Sequence, residues 1–261
     1  MGNPLKKAIK ERRVAIGSAI TVADRASAEV MASAGFDWLV IDMERGVVDF
    51  KRLYRLLHTV DFGESVSLVR ILDRPAGNVT RAVNIGSCGV VAPMVRTAED
   101  AAQAVKATKY PPLGARWVGP DMPLDFEGDL VSYTSQANDS TVVLVEVDDT
   151  IAIENLERIV TVAELDGVVL DLQALASSMG LDTDSSHPVM RDAEQRVLET
   201  TQKAGIVPGV VIAHPSPEEF IRLLKEGFLL VLYGTDMGFL AQACRETVQH
   251  LRLALSEMVG N

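Results

Sequence analysis

Four short apolar runs in this 261-residue chain end in charged side chains of types that do chemistry. They are Ile41-Asp42-Met43-Glu44-Arg45, Val69-Arg70, Val145-Glu146 and Leu170-Asp171. Glu146 with one further carboxylate offers the hard oxygen donors that a divalent cation takes, with water and substrate completing the coordination. A cation held there would polarise a carbonyl and offset the local negative charge. Arg70 carries a fixed charge suited to an oxyanion developing on an enolate. A single carboxylate at a strand end often only caps a helix or pairs with a nearby arginine, so the recurrence at four run ends is what points to a site. Other chemistries have less support. His58, His187, His214 and His250 lack metal-ligand spacing, and no serine or cysteine nucleophile signature occurs.

These side chains can meet only if the runs that carry them are strands of one sheet. Eight apolar, β-branched runs predict strands near Val14–Ser18, Asp37–Asp42, Val66–Ile71, Gly89–Pro93, Val142–Glu146, Gly167–Asp171, Gly209–Ala213 and Leu229–Tyr233. Helical periodicity follows each, starting near Asp24, Asp49, Ala76, Thr97, Thr150, Pro188, Ser216 and Met237. Thr97-Ala98-Glu99-Asp100 and Ser216-Pro217-Glu218-Glu219 put a capping hydroxyl ahead of carboxylates that favour the positive helix end. Eight βα units with continuous apolar strands predict an α/β fold, a (β/α)8 TIM barrel in one domain over residues 1–261, with its site at the C-terminal strand ends. An open doubly wound sheet is the alternative, but no G-x-G-x-x-G or Walker-type loop accompanies it. The stretch from Tyr110 to Ser140 breaks the rhythm at Pro111 and Pro112 and predicts a long arm or loop serving as a lid, an interface or both.

The chain carries 25 Lys+Arg against 36 Asp+Glu, a formal net charge of −11. That field repels phosphate backbones and anionic lipid, so no nucleic-acid and no membrane partner is expected. A small carboxylate remains a suitable ligand if a local cation receives it. A hydrophobic fraction of 48% is enough to fill a large core. Cys88 and Cys244 are too few for a disulfide framework or a thiolate zinc site and are expected to pack as small hydrophobes. The first residues lack an apolar signal core and no run reaches membrane-spanning length, so a cytoplasmic protein is expected.

Taken in order, a further set of landmarks forms a signature. These are Ala34-Gly35-Phe36-Asp37-Trp38 running to Glu44, Val69-Arg70, Pro93-Met94-Val95 with Thr97-Ala98-Glu99, and Tyr110-Pro111-Pro112 with Gly114 and Arg116. Glu146, Ser178-Met179-Gly180 and Tyr233-Gly234-Thr235-Asp236 complete it. Over nearly its whole length the chain resembles the HpcH/HpaI aldolases. The resemblance implies a (β/α)8 barrel and a homo-oligomer, hexamer or trimer. It also implies a divalent metal cofactor and carbon–carbon lyase chemistry on a small 2-oxo or hydroxy acid through a pyruvate enolate. It makes Arg70 the enolate-stabilising cation, Glu146 a metal ligand and Asp42 an orienting residue.

The departures from that pattern fall around the same site. The family's Glu-His-Gly is Glu44-Arg45-Gly46 here, and an arginine, with a pKa above about 12, cannot replace the histidine as a base. The metal-ligating Asp of Gly-Pro-x-Asp-Leu aligns with Ala174, followed by Leu175. Leu144 replaces a glutamine, and Trp117 replaces the glycine after the arginine of the Pro-Pro loop. The substrate-facing set implied is Arg70, Arg45, Trp117 and Leu175. One reading keeps the metal, with Asp171 substituting for the lost ligand although it lies three residues earlier, with side-chain parity against it, and with Arg45 recognising substrate charge. Another drops the metal and leaves Arg45 and Arg70 to bind a carboxylate, with or without catalysis. A third makes the chain an assembly subunit that uses the arm and Trp117 as interface.

Overall fold

The computed structural model describes residues 2–72, 76–118, 129–181 and 187–259. Its strands are β1 (Ala15–Ile20), β2 (Trp38–Asp42), β3 (Val66–Arg70), β4 (Gly89–Ala92), β5 (Val142–Val147), β6 (Gly167–Asp171), β7 (Val207–Ile212) and β8 (Leu230–Thr235). All pair in parallel and in chain order, and β8 closes onto β1. The fold is the (β/α)8 barrel that the eight apolar runs predict.

Among the described residues the helices are α1 (Pro4–Lys10), α2 (Arg25–Ser33), α3 (Phe50–Asp61), α4 (Ala76–Asn84), α5 (Ala98–Thr108) and α6 (Leu130–Ser140). The second half adds α7 (Thr150–Glu154), α8 (Leu156–Ile159), α9 (Leu172–Ser178), α10 (Pro188–Ala204), α11 (Pro217–Glu226) and α12 (Asp236–Val259). Asp24, Asp49, Thr97 and Ser216 each accept a backbone N–H at a helix start, and Asp100 returns the bond to Thr97 in a capping box.

Strand alternation sorts the core into two shells. Trp38, Val40, Leu68, Leu144, Val169, Leu230 and Leu232 form a cluster with Leu5, Ala8 and Ile9, so α1 closes the barrel below. Their neighbours Leu39, Ile41, Val69, Val143 and Val145 cluster with helix residues such as Leu53, Leu57 and Val197. Gly17 leaves space for the Trp38 ring, which a Cβ at that position would overlap. Continuing the inner shell upward by two residues leads from Val40 to Asp42, from Leu68 to Arg70, from Leu144 to Glu146 and from Val169 to Asp171. A charged layer therefore crowns the apolar interior.

Four features differ from the sequence reading. Helix α1, which the strand–helix rhythm does not foretell, is set by Asn3, whose side chain accepts the N–H groups of Leu5 and Lys6. The end of the arm is the helix α6, and Asn138 on it fastens Tyr110 through a bond in each direction, at 2.7 and 3.0 Å. The middle of the arm, 119–128, lies outside the described residues. Helix α9 follows β6 directly, well before the predicted start near Pro188. Cys244 is exposed, because the part of α12 that carries it stands clear of the barrel, while Cys88 is partly covered. No helix among the described residues is long and apolar enough to cross a membrane.

Candidate active site

Asp42 and Arg70 are register partners at the ends of β2 and β3. Arg70 Nε donates to Asp42 Oδ1 at 3.0 Å and Nη2 donates to Asp42 Oδ2, a two-pronged grip that fixes the plane of the guanidinium. Its Nη1 reaches across the barrel and donates to Glu146 Oε1 at 2.9 Å. Three of the five guanidinium hydrogens are thus engaged, and two are unpaired among the described residues.

The loop after β2 supplies the second cation. Asp42 Oδ1 also accepts the backbone N–H groups of Glu44 and Arg45, at 2.9 and 3.0 Å, and so curls the loop over the strand end. The turn needs Gly46, where a Cβ would overlap the Asp42 carbonyl oxygen. Arg45 Nη1 donates to Asp171 Oδ2 at 2.9 Å, yet 44% of its side chain is exposed, so the guanidinium joins the site to solvent. Asp171 Oδ1 accepts the Ala174 N–H at 2.9 Å and thereby caps α9. Glu44 Oε2 lies 3.5 Å from Arg70 Nε and 3.6 Å from Arg45 Nε.

Burial and charge act on these groups in opposition. Burial pushes the Glu146 carboxyl up to about 7, against the pull of Arg70 and reinforced by Asp171 and Glu44. Burial also raises Glu44, with Arg70 and Arg45 opposing and Asp42 and Asp148 adding to the rise. At Asp42 burial again works upward, but the Arg70 grip and the two loop N–H groups outweigh it and hold the carboxyl below its usual range. Arg70 itself is held more firmly protonated, since Glu146, Asp42 and Glu44 overcome the desolvation of its charge.

The donor set accommodates a hard cation in part. Among the described residues Glu44 Oε2 and Glu146 Oε2 are buried without a hydrogen-bond partner, and Asp42, Glu44, Glu146 and Asp171 share two guanidiniums. Both oxygens of Asp171 are engaged, and no group of three or more His, Cys, Asp or Glu is arranged as a metal centre among the described residues. Glu146 therefore offers a free oxygen as the site stands.

Of the residues singled out from sequence, Asp42, Arg45, Arg70, Glu146 and Asp171 come together. Asp171 stays on the inner face because it lies in step with Val169 at the last position of β6, where the chain turns into α9. Trp117 is 57% exposed, and no hydrogen bond or ring contact among the described residues joins it to the cluster. Leu175 is fully buried in the outer core, and Ala174 contributes its backbone N–H alone. Two carboxylates carry more weight than their sequence context suggests. Glu44 sits between both guanidiniums, and Asp148, raised by burial, accepts the Met94 N–H at 3.0 Å. The acidic run Glu146-Val147-Asp148-Asp149 was the available signal for the latter.

Comparison with known proteins agrees with the geometry. The family model for HpcH/HpaI aldolase/citrate lyase matches residues 20–243. The chain is 33% identical over 241 residues to a 4-hydroxy-2-oxovalerate aldolase of Rhodococcus jostii RHA1, covering 92% of each chain. It is 32% identical over 244 residues to a 5-keto-4-deoxy-D-glucarate aldolase of Klebsiella pneumoniae, covering 94% of each. A crystal structure of an HpcH/HpaI aldolase/citrate lyase family protein from Burkholderia cenocepacia J2315 superposes with a TM-score of 0.89 at 28% identity, over 96% of this chain and 99% of that one. Matched along nearly its whole length by a family of carbon–carbon lyases, the chain belongs to the HpcH/HpaI aldolase/citrate lyase family.

Proposed function

We propose that the site cleaves a small 4-hydroxy-2-oxo acid into pyruvate and an aldehyde, and joins them in reverse. The observation that carries this reading is the buried Arg70 at the C-terminal end of β3, clamped between Asp42 and Glu146, with two of its N–H groups unpaired among the described residues. In cleavage the C4 hydroxyl loses its proton and becomes a carbonyl as the C3–C4 bond breaks. The bond's electron pair moves toward C2 to form an enolate, which then takes a proton at C3 from water, while the proton lost from the C4 hydroxyl returns to solvent. Arg70, oriented by Asp42, faces the enolate oxygen and stabilises charge that exists only after the bond begins to break. Arg45, half exposed, receives a substrate carboxylate. The proton goes to Glu44 Oε2, an unpartnered buried oxygen on a carboxyl with raised proton affinity.

A divalent cation, Mg²⁺, Mn²⁺ or Co²⁺, belongs to the proposal, with Glu146 and Asp171 to hold it. When bound it would supply Lewis-acid polarisation of the 2-oxo group. Assembly as a homo-oligomer, hexamer or trimer, is also part of the reading, supported by apolar surface on α12.

Lactate dehydrogenase coupled to the purified protein tests the reaction, using a panel of 4-hydroxy-2-oxo acids with each metal. Pyruvate and aldehyde are expected in equal amounts. Arg70→Ala should lower kcat/KM by about 10²–10³-fold, the scale for loss of an oxyanion donor. Failure of every acid to yield pyruvate with any of the three metals contradicts the reading.

A further inference from the structure

Asp236 is buried where β8 passes into α12, and among the described residues its carboxylate accepts five hydrogen bonds. Oδ1 accepts the Thr21 N–H at 3.0 Å, the Thr21 hydroxyl at 2.6 Å and the Met237 N–H at 2.9 Å. Oδ2 accepts the Val22 N–H and the Ser27 hydroxyl, each at 3.2 Å. An ionised carboxylate accepts on both oxygens and donates on neither, so it suits this ring of donors. The first turn of α12 favours its negative charge.

These bonds lie where the sheet itself gives out. The ladder between β1 and β8 slips in register between Gly17 and Ala19, and β1 ends at Ile20. Asp236 takes over at that point and ties residues 21–22 and the start of α2 to the end of β8. The tie continues into the site. The Val47 N–H donates to the Thr21 carbonyl oxygen at 3.3 Å, and a Cβ on Gly46 would come within 2.8 Å of that same oxygen. The loop after β2, which carries Glu44 and Arg45, is therefore held at one end by Asp42 and at the other by Thr21. Arg70 needs no such support, because it belongs to β3 and is clamped by Asp42 and Glu146.

We infer that Asp236 is a positioning residue of the active site, which acts through Thr21 to set the loop that presents Glu44 and Arg45 at the barrel mouth. The inference rests on the proposed cleavage reaction and divides its machinery in two. Arg70 is fixed within the sheet, whereas Glu44 and Arg45 take their placement from the closing seam of the barrel. Misplacing a reacting group by about 1 Å can cost about 10²-fold in rate. A loosened loop should therefore slow cleavage, which needs Glu44 to take the hydroxyl proton. It should spare pyruvate enolisation, which depends on Arg70 and exchanges its C3 proton with water.

Asp236→Asn tests this, because its NH₂ faces backbone N–H groups whichever way the amide is turned. Two activities of the full-length protein are compared with Mg²⁺, Mn²⁺ or Co²⁺ present. One is pyruvate release from 4-hydroxy-2-oxo acids, and the other is deuterium exchange into the methyl group of saturating pyruvate. The kcat for cleavage should fall by about 10- to 10²-fold while exchange keeps the wild-type rate. A merely structural loss lowers both by the same factor. Thr21→Val, which removes one of the five bonds, should show the same split to a smaller degree, and Thr21→Ser should restore the wild-type ratio. If Asp236→Asn does not fold by circular dichroism, the Thr21 variants decide. Amide hydrogen exchange adds a readout that needs no reaction. The N–H groups of Glu44, Arg45 and Val47 should exchange faster in Asp236→Asn, while that of Ala174, bonded to Asp171, should not change. A wild type that releases no pyruvate from any of the acids overturns the reaction and this inference together. With an active wild type, unchanged cleavage, an equal loss of both activities or an unaltered loop exchange overturns the role of Asp236 alone.

Discussion

Arg45 is the residue that the resemblance sets in the place of a histidine, and its guanidinium cannot accept a proton near neutral pH. The structure surrounds this substitution with a carboxylate that can. Glu44 Oε2 is buried, lacks a hydrogen-bond partner and lies within 3.6 Å of both arginines. Burial raises its pKa, so the ionised form that accepts a proton is reached above the ordinary glutamate range. Activity should rise with pH through that raised value. Glu44→Gln should lower kcat by about 10²–10⁴-fold, the usual contribution of a positioned base, and remove this acidic limb with little change in KM. An unchanged pH profile in the variant assigns the proton to another group. At this scale the sequence was legible wherever a charged type ended an apolar run, as at Arg70 and Glu146. It was not legible for Glu44, whose importance comes from the Arg70 guanidinium that β3 brings to a carboxyl oxygen already beside the neighbouring Arg45.

Asp171 shows how an element can give one side chain two functions. It ends β6 in step with Val169, which turns it inward, and it also caps α9 through the Ala174 N–H. Asp171→Ala should cost about 1 kcal/mol for the lost cap, a fall in Tm of roughly 2–4 °C for a chain of this size. Asp171→Asn, which retains a capping oxygen, should recover most of that stability while losing the charge that pairs with Arg45. Equal losses in thermal melts of the two variants would contradict the capping role. The eight strands were legible because each is a short β-branched run bounded by turn residues, and Thr97 and Ser216 marked their helices with hydroxyl caps. Helix α9 was not, since Asp171 reads equally well as a strand end. Helix α1 was hidden because its role, closing the barrel with Leu5, Ala8 and Ile9, depends on contacts with strands far along the chain.

Barrel closure turns separations of more than a hundred residues into hydrogen bonds, as between Arg45 and Asp171. The fold was legible from the rhythm of eight βα units. The full connectivity of the site was not, because which carboxylate meets which arginine depends on register around the ring. At the same scale the net charge of −11 speaks to solubility, and at the mouth Arg45 and Arg70 are the cations that face four carboxylates among the described residues. The central claim is that this mouth forms and stabilises the enolate of pyruvate, whatever aldehyde it joins. Proton NMR of pyruvate incubated in D₂O with the purified protein and Mg²⁺, Mn²⁺ or Co²⁺ tests it without an aldehyde partner, the paramagnetic ions being removed before the spectrum is recorded. The C3 methyl protons should exchange for deuterium with wild type, and Arg70→Ala should abolish the exchange. Methyl protons that persist with wild type at the rate of protein-free buffer, under all three metals, would contradict it.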